Sequence, residues 1–405
     1  MKRARKRWQF GLTDAGRVVL RGMGFVFLAA LIIPALGVLA IMASIMLTAM
    51  AVGYVLRPRV RLTGNLPDRI VAGQTAQLAY TLRNVGRMPC YGVYVRFGAL
   101  PSSIQQVAQS PVVPRLAPGE QAEVIVSIEP TRRGSYQVHR PICESSFPFN
   151  LFHFGTPSEG QENLLVLPAF SQLHLVLPHA SRHVQSVGPR QAGRTGVSPE
   201  YVGNRPFLPG DSPRRIDVRA WARLAVPATK QYDDAMDNFA TLVLDTRRLD
   251  SRPKTPEQEI PEFEAAISLC ASVAYTIHAD CLIDTLLAGT DAHSFAAWPK
   301  ASRIDRIHEV LASIEPSKEY DLDQIGPLLE GRLHEVSEVV FILRRWDATY
   351  KSLVSLADRA GCHCTVIVVG EPSDDDGPSA AAEGWWGDVR FVTAEAVRKG
   401  QVELL

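Results

Sequence analysis

The sequence predicts a multidomain protein that joins a transmembrane helical hairpin, a β-sandwich and a doubly wound α/β sheet. Residues 22–56 carry no charged side chain, which is typical of a membrane segment. Short runs that alternate apolar and polar residues follow, and the last third alternates buried-strand with helical patterns. We therefore expect five parts: a basic cytoplasmic N-terminus (1–21), the hairpin (22–56), the sandwich (57–168), an arginine-rich segment (169–237) and the α/β domain (238–405).

The composition excludes some classes of function. The 405 residues are enough for two or three domains with complete hydrophobic cores. The 43 basic and 42 acidic side chains leave a net charge of +1, so we expect no nucleic-acid partner. The six cysteines form no paired framework, which favours a reducing compartment. Cys362 and Cys364 flank a histidine, but no second pair stands at zinc-site spacing, so we expect no metal and no cofactor.

The charge-free run at residues 22–56 is too long for one simple membrane span. As a single helix, its roughly 35 residues would measure about 52 Å, against about 30 Å of hydrocarbon core. Pro34 and Gly37 favour a turn, so two helices in a hairpin fit better. Basic residues flank both ends, which predicts a multi-pass inner-membrane protein with the bulk of the chain cytoplasmic. A single span with an external carboxyl half is the alternative, whereas a signal peptide would be shorter.

Residues from about 60 to 167 show the pattern of short β-strands. Three segments alternate at period two, namely Thr75–Leu82, Val93–Phe97 and Ala122–Ile128. Turn residues separate them, and strands of this size and spacing are typical of an immunoglobulin-like sandwich. Nothing in this region has the pattern of a catalytic site. We therefore interpret it as a folded spacer between the last domain and the membrane.

The most distinctive segment is Arg205–Arg223, which contains a Pro-Gly-Asp turn, two acids and five arginines. Guanidinium and carboxylate groups at this density are costly to leave unpaired where they are partly buried. We therefore favour an internal network that clamps the segment onto the α/β domain, with Ile216 and Trp221 as apolar anchors; a site for an anion or a partner is the alternative. The network residues are Arg205, Pro209, Gly210, Asp211, Arg214, Arg215, Asp217, Ala222 and Arg223.

This segment resembles the signature of a bacterial family called domain of unknown function fifty-eight. The family pattern runs Arg, an aromatic residue, Pro-Gly-Asp, two residues, Arg, one residue, Ile-Asp-Trp, and then Ala-Arg. Val218 stands where the family has Trp, and Trp221 lies one turn further on. The matching residues are Arg205, Phe207, Pro209, Gly210, Asp211, Arg214, Ile216, Asp217, Ala222 and Arg223.

The resemblance extends to three segments of the β-rich region, Leu82–Gly86, Arg132–Tyr136 and Pro148–Phe152. Genes of this family typically neighbour those of MoxR-type AAA+ ATPases. The resemblance therefore implies a MoxR-like ATPase as a protein partner. It implies no reaction, because the family has no established one.

The order of elements after residue 238 is similar to a von Willebrand factor A domain, to which the family resemblance also leads. In metal-binding members the first strand ends in Asp-x-Ser-x-Ser, whose oxygens help to hold a divalent ion. This chain keeps Asp245, but Arg247 and Leu249 replace the serines, and Asp347 is a candidate second carboxylate. An arginine would place positive charge among the oxygen ligands. We therefore expect no metal there, and instead an ion pair of Arg247 with Asp245 or Asp347.

The sequence contains no recognisable catalytic motif. It has no Gly-x-Ser-x-Gly elbow, no phosphate-binding loop and no His-Glu-x-x-His. We therefore predict a non-enzymatic, membrane-anchored adaptor that presents a von Willebrand factor A-like interaction domain and works with a MoxR-type AAA+ ATPase. The alternative is a membrane-tethered sensor or enzyme that binds an anionic ligand through Arg205–Arg223.

Overall fold

The chain is multidomain, with many β-strands and fewer helices. The computed structural model describes residues 9–30, 36–108, 110–156, 160–173, 200–207, 216–233, 239–247, 261–278, 281–288, 291–295, 300–317, 322–370 and 389–402. The chain divides into two compact units. Unit 1 comprises Met1–Phe170 and Asp305–Glu315, and unit 2 comprises Ser171–Ile304 and Pro316–Leu405.

Unit 1 begins with a short strand and two helices, followed by eleven further strands among its described residues. The first elements are β1 (Gln9–Leu12), α1 (Asp14–Ala30) and α2 (Leu36–Val55). The strands that follow are β2 (Val60–Thr63), β3 (Arg69–Val71), β4 (Ala76–Asn84), β5 (Cys90–Arg96), β6 (Ile104–Gln106), β7 (Val113–Leu116), β8 (Gln121–Pro130), β9 (Gly134–His139), β10 (Ile142–Ser145), β11 (Phe152–Thr156) and β12 (Gln161–Leu167).

These strands form three sheets around one core. Their orders are β1-β11-β10-β5-β7, β2-β4-β8-β6 and β3-β12-β9. Strands β4 and β8 alternate buried and exposed residues because successive side chains of a strand point to opposite faces. Their inward residues, among them Leu82 and Val126, share one cluster with Val93 of β5 and Leu164 of β12. The core of this β-sandwich therefore lies between the sheets.

The two helices correct the sequence-based localisation. Among the described residues, only α2 is long and apolar enough to cross a membrane. Helix α1 has 17 residues, and its first half carries Asp14, Arg17 and Arg21. Its charge-free part, Gly22–Ala30, would measure only about 14 Å, less than half of the hydrocarbon core. The prediction of a multi-pass inner-membrane protein was therefore wrong, because the described residues contain one helix long enough to span a bilayer and not two.

Unit 2 contains the remaining elements. Its strands are β13 (Glu200–Pro206), β14 (Ala228–Asp233), β15 (Phe239–Leu244), β16 (Leu282–Ala288), β17 (Asp291–Ser294), β18 (Glu338–Leu343), β19 (His363–Val369) and β20 (Val389–Val392). Its helices are α3 (Val218–Leu224), α4 (Pro261–Ile277), α6 (Leu322–Leu333), α7 (Ala348–Arg359) and α8 (Ala394–Arg398), and α5 (Lys300–Ser313) belongs to it as far as Ile304.

Six strands of unit 2 form a mainly parallel sheet in the order β17-β16-β15-β18-β19-β20, with only β17 antiparallel. Residues of α6 and α7 share a core cluster with Val339, Phe341 and Leu343, which point to one face of β18. Helix α4 packs on the same sheet outside this cluster. The chain passes from β15 to β16 and β17 on one side of β15, and then returns to form β18 on the other side. In parallel sheets, such a reversal leaves a crevice at the carboxyl ends of the two strands.

Candidate functional site

The candidate site lies at the carboxyl ends of β15 and β18. Asp245 follows β15 directly, and Arg344 follows β18 directly. Since the two strands are parallel neighbours, their carboxyl ends meet, and the Asp245 N–H donates to the carbonyl of Ile342 at 2.9 Å. Asp347 caps α7 nearby by accepting a hydrogen bond from the N–H of Tyr350 at 3.2 Å. This arrangement brings residues about one hundred positions apart into one charged cluster.

Arg247 holds Asp245 from two directions. Its Nε and Nη2 donate to Oδ1 and Oδ2 of Asp245, each at 3.0 Å, which is a bidentate pair. The backbone N–H of Arg247 also donates to Oδ1 at 3.0 Å. The Asp245 side chain is fully buried, so these contacts provide the compensating charge that a buried carboxylate requires.

The same guanidinium group also reaches Asp347. Nη1 of Arg247 donates to Oδ2 of Asp347, and the guanidinium carbon lies 4.6 Å from the ring centroid of Tyr350. Burial alone would lower the pKa of Arg247, but hydrogen bonds and charge from Asp245, with a further hydrogen bond to Asp347, outweigh it and raise the pKa. Both ion pairs considered from the sequence are therefore present, and one cation joins the two carboxylates.

A second arginine completes the cluster. Nη1 of Arg344 donates to the carbonyl of Arg247 at 2.6 Å, and Nη2 lies 3.6 Å from Oε2 of Glu262. Burial lowers the pKa of Arg344, partly offset by the charges of Asp245 and Glu262. The sequence analysis missed Arg344 and Glu262. The sequence could have indicated Arg344, because it directly follows the apolar strand β18 just as Asp245 directly follows the apolar strand β15.

At this edge, the guanidinium group of Arg247 lies between the carboxylates of Asp245 and Asp347. Arg247 already binds both carboxylates that could serve as ligands. In the part of the chain that the structure describes, no group of three or more His, Cys, Asp or Glu side chains has the arrangement of a metal site. Leu249 lies outside the described residues. The described geometry suits a rigid, internally neutralised surface better than an open coordination site.

The arginine-rich segment is described only in part. Pro209, Gly210, Asp211, Arg214 and Arg215 lie outside the described residues, so the structure places Arg205, Asp217, Ala222 and Arg223 of the predicted network. Arg205 donates to the carbonyl of Pro206 at 3.2 Å, and both Ala222 and Arg223 are exposed on α3.

Asp217 acts as the N-cap of α3. Its Oδ1 accepts hydrogen bonds from the N–H groups of Arg219 and Ala220, at 3.0 and 3.1 Å, and Oδ2 accepts from Nδ2 of Asn204 at 3.2 Å. The pKa of Asp217 is lowered, chiefly by the hydrogen bond from Ala220. The contacts described for this carboxylate are therefore those of a helix cap.

The exposed residues of α3 and of the turn after it include both apolar and basic side chains. Trp221, expected from the sequence to be an anchor, is 43% exposed, and Val218 and Val226 are also exposed. Ala220 is buried instead. Arg219 and Arg223 are exposed on the same helix. The segment thus presents an aromatic ring among aliphatic and basic side chains, a composition typical of protein-binding surfaces.

No protein-family model and no curated protein matches this chain. Among solved structures, an Escherichia coli alpha-2-macroglobulin activated by porcine elastase is 20% identical, with a TM-score of 0.21 over 28% of this chain and 10% of that one. The secreted serine protease VesC from Vibrio cholerae is 16% identical, with a TM-score of 0.19 over 28% and 24%. A CARDB domain from Pyrococcus furiosus is 16% identical, with a TM-score of 0.17 over 27% and 97%. This chain spans small fractions of the first two proteins, and likenesses this weak carry no argument about function.

Proposed function

We propose that this protein is a non-enzymatic, membrane-attached adaptor whose α/β unit presents a protein-binding surface. We also propose that it belongs to the family domain of unknown function fifty-eight, with a von Willebrand factor A-like α/β domain and an immunoglobulin-like sandwich. A MoxR-type AAA+ ATPase is the partner that the resemblance implies. The observation that carries the proposal is the bridge of Arg247 between Asp245 and Asp347.

The bridge supports a binding role over a catalytic one. The carboxylates of Asp245 and Asp347 bind a guanidinium group and backbone N–H groups, so neither is poised as a general base or as a metal ligand. Partner binding at this edge would therefore not depend on a divalent ion. The internal cation instead holds the end of β15 against the start of α7, which fixes the shape of the surface.

The exposed face of α3 supports the choice of a protein as the partner. Tryptophan and arginine are the residue types that most often dominate binding energies at protein interfaces. Trp221 is exposed on this short helix beside Val218, three positions earlier, and Arg219 and Arg223 are exposed elsewhere on the same helix. We propose this face as the part of the adaptor that contacts the ATPase.

A pull-down with the full-length chain in detergent tests the proposal. The bait is incubated with a purified MoxR-type ATPase, without nucleotide, with ADP and with a non-hydrolysable ATP analogue. The proposal predicts retention of the ATPase in at least one nucleotide state. Retention in none of them, together with binding of an anion such as phosphate to the same bait, would favour the anion-sensor alternative.

A further inference from the structure

The helices and the sandwich of unit 1 are packed directly on each other. Gly53, near the end of α2, lies against the ring of Phe154, and Gly16, in the first turn of α1, lies against the carbonyl of Leu151. At both positions an added Cβ would overlap the neighbouring atoms, so only glycine permits this approach. The sandwich is therefore not separated by a linker from the end of α2 or from the beginning of α1.

Thr13 joins the start of α1 to the turn that precedes β11. Its N–H donates to the carbonyl of Leu151 at 3.1 Å, and its hydroxyl donates to the carbonyl of Asn150. The same hydroxyl oxygen accepts from the N–H of Gly16 at 3.0 Å, which caps α1. The turn between β10 and β11 is thus held beside the first turn of α1.

Apolar side chains are exposed on both sides of this contact. On α2 they include Met50, Tyr54 and Val55, and on the sandwich Phe10 and Phe149. Phe10 stacks on the ring of Phe152 and lies tilted against that of Phe154, but it remains more than half exposed. Phe149 directly precedes Asn150, whose carbonyl accepts from Thr13 at the start of α1, so it belongs to the turn that packs beside the helices.

Basic side chains are exposed near the ends of the helices that pack on the sandwich. Arg17 and Arg21 are exposed on α1, and Arg59 and Arg61 are exposed after α2. Helical side chains tilt toward the N-terminus of their helix, so both arginines of α1 extend toward the end at which the sandwich packs. Aromatic rings together with arginines are typical of the boundary between membrane and water, where the rings contact acyl chains and the cations contact phosphate groups.

We propose that the edge of the sandwich that carries Phe10 and Phe149 is a lipid-contact surface that lies in the headgroup interface of a phospholipid bilayer beside α2. The inference rests on the membrane attachment proposed above and adds a second, β-sheet contact with the bilayer. It makes the sandwich a rigid part of the membrane anchor.

The full-length chain in vesicles of phosphatidylcholine and phosphatidylglycerol tests this surface. All six native cysteines are buried, so a cysteine introduced at an exposed position can be labelled selectively with an environment-sensitive fluorophore. Phe149→Cys reports the proposed contact. Val107→Cys is the matched control, because Val107 is 53% exposed against 54% for Phe149 and follows β6, at the opposite edge of its sheet from β2. Tyr54→Cys reports the insertion of α2 itself.

The expected result is that the label at position 149 is quenched by doxyl-labelled lipid and protected from aqueous iodide, whereas the label at position 107 shows the reverse. If the label at position 54 is protected and the label at position 149 behaves like the control, the sheet contact is wrong while the membrane attachment stands. If the protein does not float with the vesicles, both are wrong. Phe10→Cys repeats the measurement on the adjacent strand in case Phe149→Cys does not fold.

Discussion

Arg247 binds Asp245 through two parallel hydrogen bonds of 3.0 Å, and the same guanidinium group also binds Asp347. Asp245 directly follows β15 and Asp347 directly precedes α7, so a single side chain ties the end of β15 to the start of α7. The positive charge between these two carboxylates is therefore supplied by a side chain of the protein itself.

The first prediction concerns stability. Arg247→Ala leaves the buried carboxylate of Asp245 without its principal counter-charge, and loss of one partner of a buried ion pair costs about 3–5 kcal/mol. We expect a decrease of this size in the free energy of unfolding of unit 2, measured by urea denaturation. Arg345→Ala is the control, because Arg345 is exposed two positions before Asp347, and we expect a change of less than about 0.5 kcal/mol there. Equal effects of the two variants would show that the bridge contributes little.

The second prediction concerns metal binding. Because Arg247 already binds both carboxylates, we expect calorimetry with Mg²⁺ or Ca²⁺ to give no saturable heat for the parent protein. The double variant Arg247→Ser and Leu249→Ser restores the hydroxyl pattern and should gain a measurable heat. A micromolar or tighter site in the parent protein that Asp245→Ala abolishes would contradict this account.

The third prediction concerns the cap of α3. The lowered pKa of Asp217 means that its cap contributes stability above the ordinary pKa of an aspartate and loses it as the pH falls through the lowered pKa. Asp217→Ala should accelerate amide hydrogen exchange at Arg219 and Ala220, whereas Asp217→Asn, which can still cap, should retain most of the protection. If the alanine variant exchanges like the parent protein but loses a partner, the segment serves binding instead.

The fourth prediction concerns alkaline pH. Burial, followed by the charge of Glu162, raises the pKa of Tyr80 to about 12. This pKa lies above that of an unfolded tyrosine. The contribution of Tyr80 to the free energy of unfolding is therefore complete below about pH 10, and it is lost as the pH rises toward 12. Tyr80→Phe should therefore be less sensitive than the parent protein to pH over this interval, measured by urea denaturation. An identical pH dependence of the two proteins would show that burial does not raise the pKa of Tyr80.

Local patterns explain what the sequence could predict. Period-two alternation identified the strands around Leu78 and Val126, because one face of each must meet the core. Arg247 stands where the resembled pattern has a serine, and an arginine there indicated an ion pair with Asp245 or Asp347. For residues 22–56, composition alone led to the wrong prediction of two membrane-spanning helices. The charge-free run does not reveal that α1 begins at Asp14, so that two arginines lie in its first half.

Contacts between distant residues explain what the sequence could not predict. The Arg132–Tyr136 segment matched a family pattern with no stated role. In unit 1, Nε of Arg133 donates to the carbonyl of Leu311 at 3.0 Å and Nη2 donates to that of Ile314 at 2.8 Å, at the end of α5. Leu311 lies in the last turn of α5 and Ile314 directly follows the helix, so the arginine donates to backbone carbonyls at the C-terminal end of α5, as a C-cap does. No local pattern links residues that lie so far apart in the chain.

The affinity of the full-length chain for a MoxR-type ATPase, measured by titration in detergent, tests the adaptor proposal most directly. We expect saturable binding to the parent protein, and at least tenfold weaker binding, about 1.4 kcal/mol, to Trp221→Ala, because an exposed tryptophan at an interface contributes strongly. Leu328→Ala, at an exposed leucine of α6, is the matched control and should bind like the parent protein. Binding that is absent in every nucleotide state, or equally weakened in both variants, would contradict the proposal that this face recruits the ATPase.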